Sequence, residues 1–394
     1  MASRQHGSDI AEADEPARAL LIEPLKLIHL ADRPVTERAA KAIAQPLISH
    51  EDAEPFGLES SSPLTAFEEI EIAAHWLVWM GACFLPFGSV LWLCMWPSTL
   101  AALTTLSVGL SLVWPCQEWP VPPAHKITMP LRNRKIAASF LKYNSMRVVV
   151  EAPNELLPLP GQPPPATYLF AGVPHGLFPI GMVLLGWCNF ALPWRRIRAA
   201  AASVTLRLPV WRQIGLWNGG IDVSRASIIK ALRAGDNVLV AMDGIAGMFT
   251  GRTAAKEEVF LLGRRKGLVR IALQTRTPMV PFVCFGNTRT VRPLSDPAGV
   301  MERLSRLLGV SLIVPTGRFG LPIPKRVPIT VVIGKALPLP PRRTSHDSTA
   351  SSGDYEPSEA EVDDLHAELV DALKELYYRW RVAGGYSGIE LAVV

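Results

Sequence analysis

From Ile72 to Gln117 the chain carries no Asp, Glu, Lys or Arg, and Glu71 and Glu118 are the bounding charges. Such a run is about twice the ~20 residues needed to cross a hydrocarbon core once. Its middle holds Trp96-Pro97-Ser98-Thr99, and tryptophans recur at Trp76, Trp79, Trp92, Trp96, Trp114 and Trp119, rings that favour a membrane interface. The pattern predicts a two-helix transmembrane hairpin over residues 72–117, closed by a tight Pro turn. The alternative is a helical hairpin buried in a soluble core, but soluble helices seldom stay uncharged for so long. Lys126, Arg132, Arg134, Lys135, Lys142 and Arg147 follow as a positive flank. By the positive-inside rule that flank faces the cytosol, and an even number of crossings returns both termini there.

The rest of the composition agrees with a membrane-attached body. Of 394 residues 49% are hydrophobic and 19% charged, against ~25% charged in average globular proteins, and the mean hydropathy is +0.21. The net charge of +5 suits an anionic surface or ligand. No Lys/Arg run or aromatic-basic repeat supports a nucleic-acid partner. Cys83, Cys94, Cys116, Cys188 and Cys284 form an odd set without a CxxC pair. They read as buried thiols in a reducing compartment, with neither a structural metal nor a disulfide framework indicated.

Residues 1–65 mix Ala, Glu, Asp, Ser and Pro without sustained periodicity and read as disordered, apart from a short helix around Glu37–Ala44. No secretory signal pattern opens the chain. A second apolar stretch, Leu177 to Trp194, is interrupted by Pro179, Gly181 and Gly186. It reads as a helix partly sunk in a bilayer face, a third crossing being the alternative. From Leu206 the pattern is globular α/β. Strand-like runs at Val238–Ala241, Met279–Val283 and Ile329–Ile333 alternate with helical ones at Ser227–Leu232 and Gly267–Gln274, as in a sheet covered by helices. Residues 341–357 read as a flexible Ser/Pro-rich linker. Residues 358–382 read as an amphipathic helix that opens with Ser358 and Glu361 at capping-box spacing.

Four short blocks stand in order. Val173-Pro174-His175-Gly176 puts one imidazole on a turn after the apolar run Tyr168-Leu169-Phe170. Imidazole is the side chain best suited to taking a proton near neutral pH. Gly219-Gly220-Ile221-Asp222-Val223-Ser224-Arg225 pairs two glycines, which let backbone approach a ligand, with a guanidinium suited to phosphate or carboxyl oxygens. Met242-Asp243-Gly244-Ile245-Ala246-Gly247 ends a predicted buried strand, where ligand sites of α/β sheets gather. Val280-Pro281-Phe282-Val283-Cys284-Phe285-Gly286 is a strand plus turn, preceded by the basic cluster Arg264-Arg265-Lys266.

These blocks, taken jointly and following the hairpin, resemble the diacylglycerol acyltransferase type-2 family, which includes monoacylglycerol and wax-alcohol acyltransferases, within the glycerolipid acyltransferase superfamily. The resemblance covers roughly Ala66 to Pro340 and implies an α/β fold: a glycerolipid-acyltransferase-like mixed sheet flanked by helices, over residues 126–340, with the N-terminal hairpin ahead of it. It departs from the family at Val173, where the family has the first His of His-Pro-His-Gly, and at Gly247, where many members have Glu. Ile180 stands where the wider superfamily has an Asp, a position the type-2 branch also lacks.

The resemblance implies transfer of an acyl group from acyl-coenzyme A, as co-substrate, to a neutral glycerolipid, with no further cofactor. Such a transfer needs a base for the acceptor hydroxyl, donors for the oxyanion and a site for the anionic carrier. His175 is the candidate base, and no Gly-x-Ser-x-Gly elbow offers a nucleophile. Asp243 is expected either to hold the imidazole in its useful tautomer or to cap the next helix. Arg225 is expected to grip glycerol oxygens or a phosphate, the alternative being a surface ion pair. Gly176, Gly219, Gly220, Ser224 and Gly244 complete the expected substrate site. Arg265 and Lys266 are expected at the carrier phosphates, or else to face anionic head groups. Few basic residues beyond Arg225 and Arg252 lie near the second and third blocks, which favours diacylglycerol as acceptor over a phospholipid. Monoacylglycerol, a long-chain alcohol or a lysophospholipid are the alternatives within the same chemistry. The expected location is the endoplasmic reticulum membrane with the site facing the cytosol, or a lipid droplet surface. A reading of another class, a non-catalytic lipid-binding scaffold, is motivated by Val173, Ile180 and Gly247.

Overall fold

The computed structural model describes residues 20–22, 64–82, 84–113, 134–152, 156, 166–188, 197–208, 210–217, 219–248, 257–263, 265–294, 299–300, 303, 307, 314–340 and 355–394. Most of residues 1–65, all but three residues of the expected linker, and the expected helix at Glu37–Ala44 lie outside them. Leu20–Ile22 is a strand, β1, which corrects the expectation of disorder for those three residues.

Three helices occupy the uncharged run and its approach. Helix α1 spans Ala66–Ala82 and starts there because Thr65 and Glu68 cap it reciprocally. The Glu68 amide donates to Thr65 Oγ1 at 3.2 Å, and the Thr65 amide donates to Glu68 Oε2 at 2.8 Å. Its Ile72, Trp76, Trp79 and Met80 are buried at helical spacing, and Trp79 stacks on Phe140. Helix α2 is Leu85–Met95 and α3 is Thr99–Val113. They turn back on each other across Trp96-Pro97-Ser98, and Thr105 Oγ1 donates to the Ser89 carbonyl at 2.9 Å.

This corrects the expected transmembrane hairpin. Its first helix belongs to the body: Glu68 pairs with Lys142 at 3.3 Å, and Glu69 pairs with Arg326 at 2.8 Å and Arg318 at 3.5 Å. Among the described residues no single helix is long and apolar enough to cross a membrane. The α1–α2 pair passes such a test only together, bent by 70°. The 11 and 15 residues of α2 and α3 rise only ~16 Å and ~22 Å at 1.5 Å per residue, short of the ~30 Å hydrocarbon core. Their outer faces, with Phe87, Leu91, Met95, Leu103 and Leu106, are exposed.

The body follows. Helix α4 is Arg134–Tyr143, β2 Arg147–Val150, β3 Leu169–Val173, α5 Ile180–Cys188, β4 Ile197–Ala201, α6 Trp211–Trp217, β5 Ile221–Asp222, α7 Arg225–Arg233 and β6 Asn237–Ala241. Then come α8 Gly244–Gly247, β7 Glu257–Phe260, α9 Gly267–Thr275, β8 Met279–Phe285, α10 Asn287–Thr290, β9 Arg292–Pro293, β10 Pro315–Thr316, β11 Thr330–Ile333, α11 Glu359–Trp380 and β12 Glu390–Val393. The main sheet has the order β1-β2-β11-β8-β3-β6-β4-β5. Strands β8, β3, β6, β4 and β5 run parallel, while β11 is antiparallel to β8 and β1 to β2. Two small pairs stand apart, β9 with β10 and β7 with β12.

Both faces of the sheet are covered, so its strands read as apolar runs whose alternate residues enter different cores. Phe170, Leu239, Val280, Phe282 and Cys284 join the core under α1, α4 and α5. Leu169, Val238, Val240, Val283 and Phe285 join the core under α7, α9 and α11. Helix α5 thereby corrects the reading of Leu177–Trp194 as sunk in a bilayer face. Leu177, Ile180, Met182, Leu184 and Leu185 are buried in protein, because this segment must cover the sheet after β3. Helix α11 starts at the Ser358–Glu361 capping box and lays Val362, Leu365, Leu369 and Leu373 on the second core.

Candidate active site

Parallel strands bring their C-terminal ends to one edge of the sheet, and the four sequence blocks sit on those ends. Strands β3 and β6 are neighbours, with Gly172 opposite Ala241, so the turn after β3, with His175, meets the turn after β6, with Asp243. Strands β4 and β5 carry the next ends outward to Ser224 and Arg225. Strand β8, on the other side of β3, ends at Gly286 and Asn287.

His175 is half-buried and lines an apolar cavity of about 1050 Å³. Its ring Nδ1 lies 2.7 Å from the Gly176 carbonyl oxygen. A carbonyl only accepts, so Nδ1 carries a proton, and in the neutral ring the lone pair is then on Nε2. Gly176 permits the bend: its φ is +63°, and a Cβ there would stand 3.0 Å from the Asn287 carbonyl oxygen.

Asp243 does not orient the imidazole. Its Oδ2 accepts the backbone amide of His175 at 2.8 Å, because from the adjacent strand end the carboxylate reaches the main chain of the turn and not the ring. The side chain is fully buried and its Oδ1 has no hydrogen-bond partner. Burial pushes its pKa up, opposed by the nearby His175 and Arg265. The other expectation, a helix cap, is met only through the main chain, where the Gly247 amide donates to the Asp243 carbonyl at 3.2 Å. Gly247 has a steric reason to be glycine, since a Cβ there would collide with the Asp243 carboxylate.

Of the other expected residues, Gly220, Arg225, Gly244 and Arg265 line the same cavity as His175. The Arg265 guanidinium donates to the Asp243 carbonyl at 3.2 Å, and that of Arg225 to Gln274 Oε1 at 2.7 Å. Both arginines are exposed, which places their charges at the rim. Gly176, Gly219, Ser224 and Lys266 are not among the lining residues. Gly219 gives its carbonyl to Arg198 at 3.0 Å, and the exposed Ser224 caps nothing with its hydroxyl. Lys266 is spent on an ion pair with Asp363 of α11 at 2.5 Å, so it braces the C-terminal helix. Arg264 lies outside the described residues. Cys284 is buried on β8, where burial drives its thiol pKa far up, an inert core thiol.

The rest of the lining is apolar. Phe178, Leu206, Trp211 and Met248 contribute from the body, Trp79 and Met80 from the end of α1, and Phe84, Pro86 and Phe87 from the start of α2. One residue bonded to the His175 turn escaped the sequence reading: Asn287, fully buried, one position past the end of the fourth block. Its place directly after Gly286 is no signal by itself, since the turn's φ of +94° shows only in the structure.

A family model described as diacylglycerol acyltransferase matches residues 100–390. Human 2-acylglycerol O-acyltransferase 3 is 28% identical over 291 residues, 68% of this chain and 77% of that protein. Diacylglycerol O-acyltransferase 1 of Eremothecium gossypii is 27% identical over 244 residues, 58% of this chain and 50% of that protein. Diacylglycerol O-acyltransferase 2 of Xenopus tropicalis is 24% identical over 312 residues, 73% of this chain and 79% of that protein.

Proposed function

The chain belongs to the diacylglycerol acyltransferase family, and on that premise we propose that it transfers a fatty acyl group from acyl-coenzyme A to the free hydroxyl of diacylglycerol, with His175 as general base. The observation that carries this reading is that His175, its Nδ1 bonded to the Gly176 carbonyl, lines a large apolar cavity together with the exposed Arg225 and Arg265. A lipid acceptor and an acyl chain fit apolar walls, and a phosphorylated carrier fits two guanidinium groups at the rim.

The step balances without a covalent enzyme intermediate. Nε2 takes the hydroxyl proton as the acceptor oxygen attacks the thioester carbonyl carbon. The C–S bond then breaks, and the departing thiolate recovers the proton from the imidazolium. A positioned base of this kind contributes ~10²–10⁴-fold. Helices α2 and α3, with their exposed apolar faces, attach the protein to one leaflet of the endoplasmic reticulum membrane or to a lipid droplet surface. Because Phe84 and Phe87 line the cavity, the acceptor enters from the lipid side.

Monoacylglycerol is the second acceptor to weigh, since two similar relatives are named 2-acylglycerol O-acyltransferases. The test is expression of the parent and His175→Ala in yeast lacking neutral-lipid synthesis, followed by lipid extraction. Triacylglycerol from the parent alone is expected. Equal storage lipid from both removes His175 from the mechanism, and diacylglycerol formed only on feeding monoacylglycerol moves the acceptor.

A further inference from the structure

Asn287 holds the catalytic turn from beneath. It is fully buried, and its side chain bonds to the segment around His175. Its Nδ2 donates to the Pro174 carbonyl at 3.0 Å and lies 3.5 Å from the His175 carbonyl. Its Oδ1 accepts the Gly181 amide at 2.8 Å, an amide in the first turn of α5. One side chain thus clamps the loop on both sides of the imidazole.

The surroundings are shaped to admit it. Gly286 turns the chain at φ +94°, where a Cβ would collide with the Pro328 carbonyl, and its amide is held by the Tyr386 hydroxyl at 3.0 Å. A Cβ on Gly181 would stand 3.3 Å from Asn287 Oδ1, and one on Gly176 would stand 3.0 Å from the Asn287 carbonyl oxygen. Both glycines that bracket the loop therefore face the same asparagine.

We infer that Asn287 is a positioning residue for acyl transfer, fixing the main chain of residues 174–181 so that His175 Nε2 points into the cavity. An amide satisfies this place at every pH, because it donates to a carbonyl with one end and accepts from an amide N–H with the other. Asn287 does not line the cavity. Its effect therefore falls on the chemical step and not on substrate affinity. The inference rests on His175 acting as the base.

The experiment compares the full-length parent, Asn287→Ala, Asn287→Asp and His175→Ala for kcat, KM and thermal unfolding. Asn287→Ala is expected to lose kcat on the order of 100-fold, the usual result of misplacing a catalytic group by ~1 Å, with both KM values within about twofold. Asn287→Asp supplies the signature that mere structural damage lacks. A protonated carboxyl still donates to the Pro174 carbonyl and accepts the Gly181 amide, whereas an ionised one faces two carbonyl oxygens. Its kcat relative to the parent should therefore recover as pH falls and decline as pH rises. A kcat for Asn287→Ala within threefold of the parent, a loss confined to KM, or an Asn287→Asp ratio flat with pH each overturns the inference. If Asn287→Ala does not fold, the Asn287→Asp profile decides. An active His175→Ala removes the base and the positioning role together. An inactive His175→Ala beside a fully active Asn287→Ala removes the positioning role alone.

Discussion

At the residue scale the imidazole is oriented by the peptide next to it and not by a carboxylate. The Gly176 carbonyl takes the Nδ1 proton at 2.7 Å, while Asp243 is occupied with the His175 amide at 2.8 Å. The two arrangements differ in what Asp243→Asn should do. In a Ser-His-Asp arrangement the same change costs about 10⁴ in kcat, through the wrong tautomer. Here the asparagine carbonyl can still accept the His175 amide, so Asp243→Asn should keep kcat within about tenfold of the parent, and Asp243→Ala, which strands that amide, should lose more. Steady-state rates on the two variants check this. A 10⁴-fold loss for Asn would return the carboxylate to the ring. The Gly247 departure from the family fits the same geometry, because the space a side chain at 247 would need is filled by the Asp243 carboxylate.

At the element scale, a clasp joins the C-terminal segment to the base of the site. Glu258 on β7 accepts from Thr288 of α10 at 2.9 Å, and Tyr386, ahead of β12, lies against both. Burial raises the Glu258 pKa from 4.5 to about 7. Between those values the folded chain holds a proton that the unfolded chain releases, so Glu258 lowers stability as pH rises, by on the order of 3 kcal/mol once it is ionised. Glu258→Gln removes that dependence. The thermal midpoint of Glu258→Gln relative to the parent should rise between about pH 5 and about pH 8, and a constant difference would contradict it. Strand β6, strand β8, helix α9 and the capped α11 were legible because each states its own pattern: apolar runs between turns, a 3.6-residue stripe, a Ser358–Glu361 box. Helix α1 was misread because Glu68 and Glu69 find their partners in Lys142, Arg318 and Arg326, far along the chain. Helix α5 was misread because an apolar helix looks the same whether lipid or a sheet covers it. The pairing of β12 with β7 is a long-range match with no local sign, and Asn287 was missed because one asparagine after a glycine is an ordinary turn until Pro174 and Gly181 are seen beside it.

At the scale of the whole molecule, the apolar cavity joins the turn after β3 to the start of α2, since His175, Phe84 and Phe87 all line it. Most of the body's apolar side chains enter the two cores, while α2 and α3 leave Phe87, Leu91, Trp92, Met95, Leu103 and Leu106 uncovered, a concentration that marks an interaction surface. Placing lysines at Leu91, Leu103 and Leu106 costs each up to about 3 kcal/mol in a hydrocarbon environment while leaving the buried cores untouched. The triple variant should move from the membrane pellet to the soluble fraction with an unchanged thermal midpoint, and full retention in the pellet would contradict one-leaflet attachment through this hairpin. The proposed acyl transfer in this cavity depends on one histidine. Its most direct test is the rate of triacylglycerol formation by the purified full-length protein, given acyl-coenzyme A and diacylglycerol in lipid, set against that of His175→Ala. Product is expected from the parent, with a loss of about 100-fold or more in a variant that folds equally well; triacylglycerol formed by His175→Ala at the parent's rate would exclude His175 as the base.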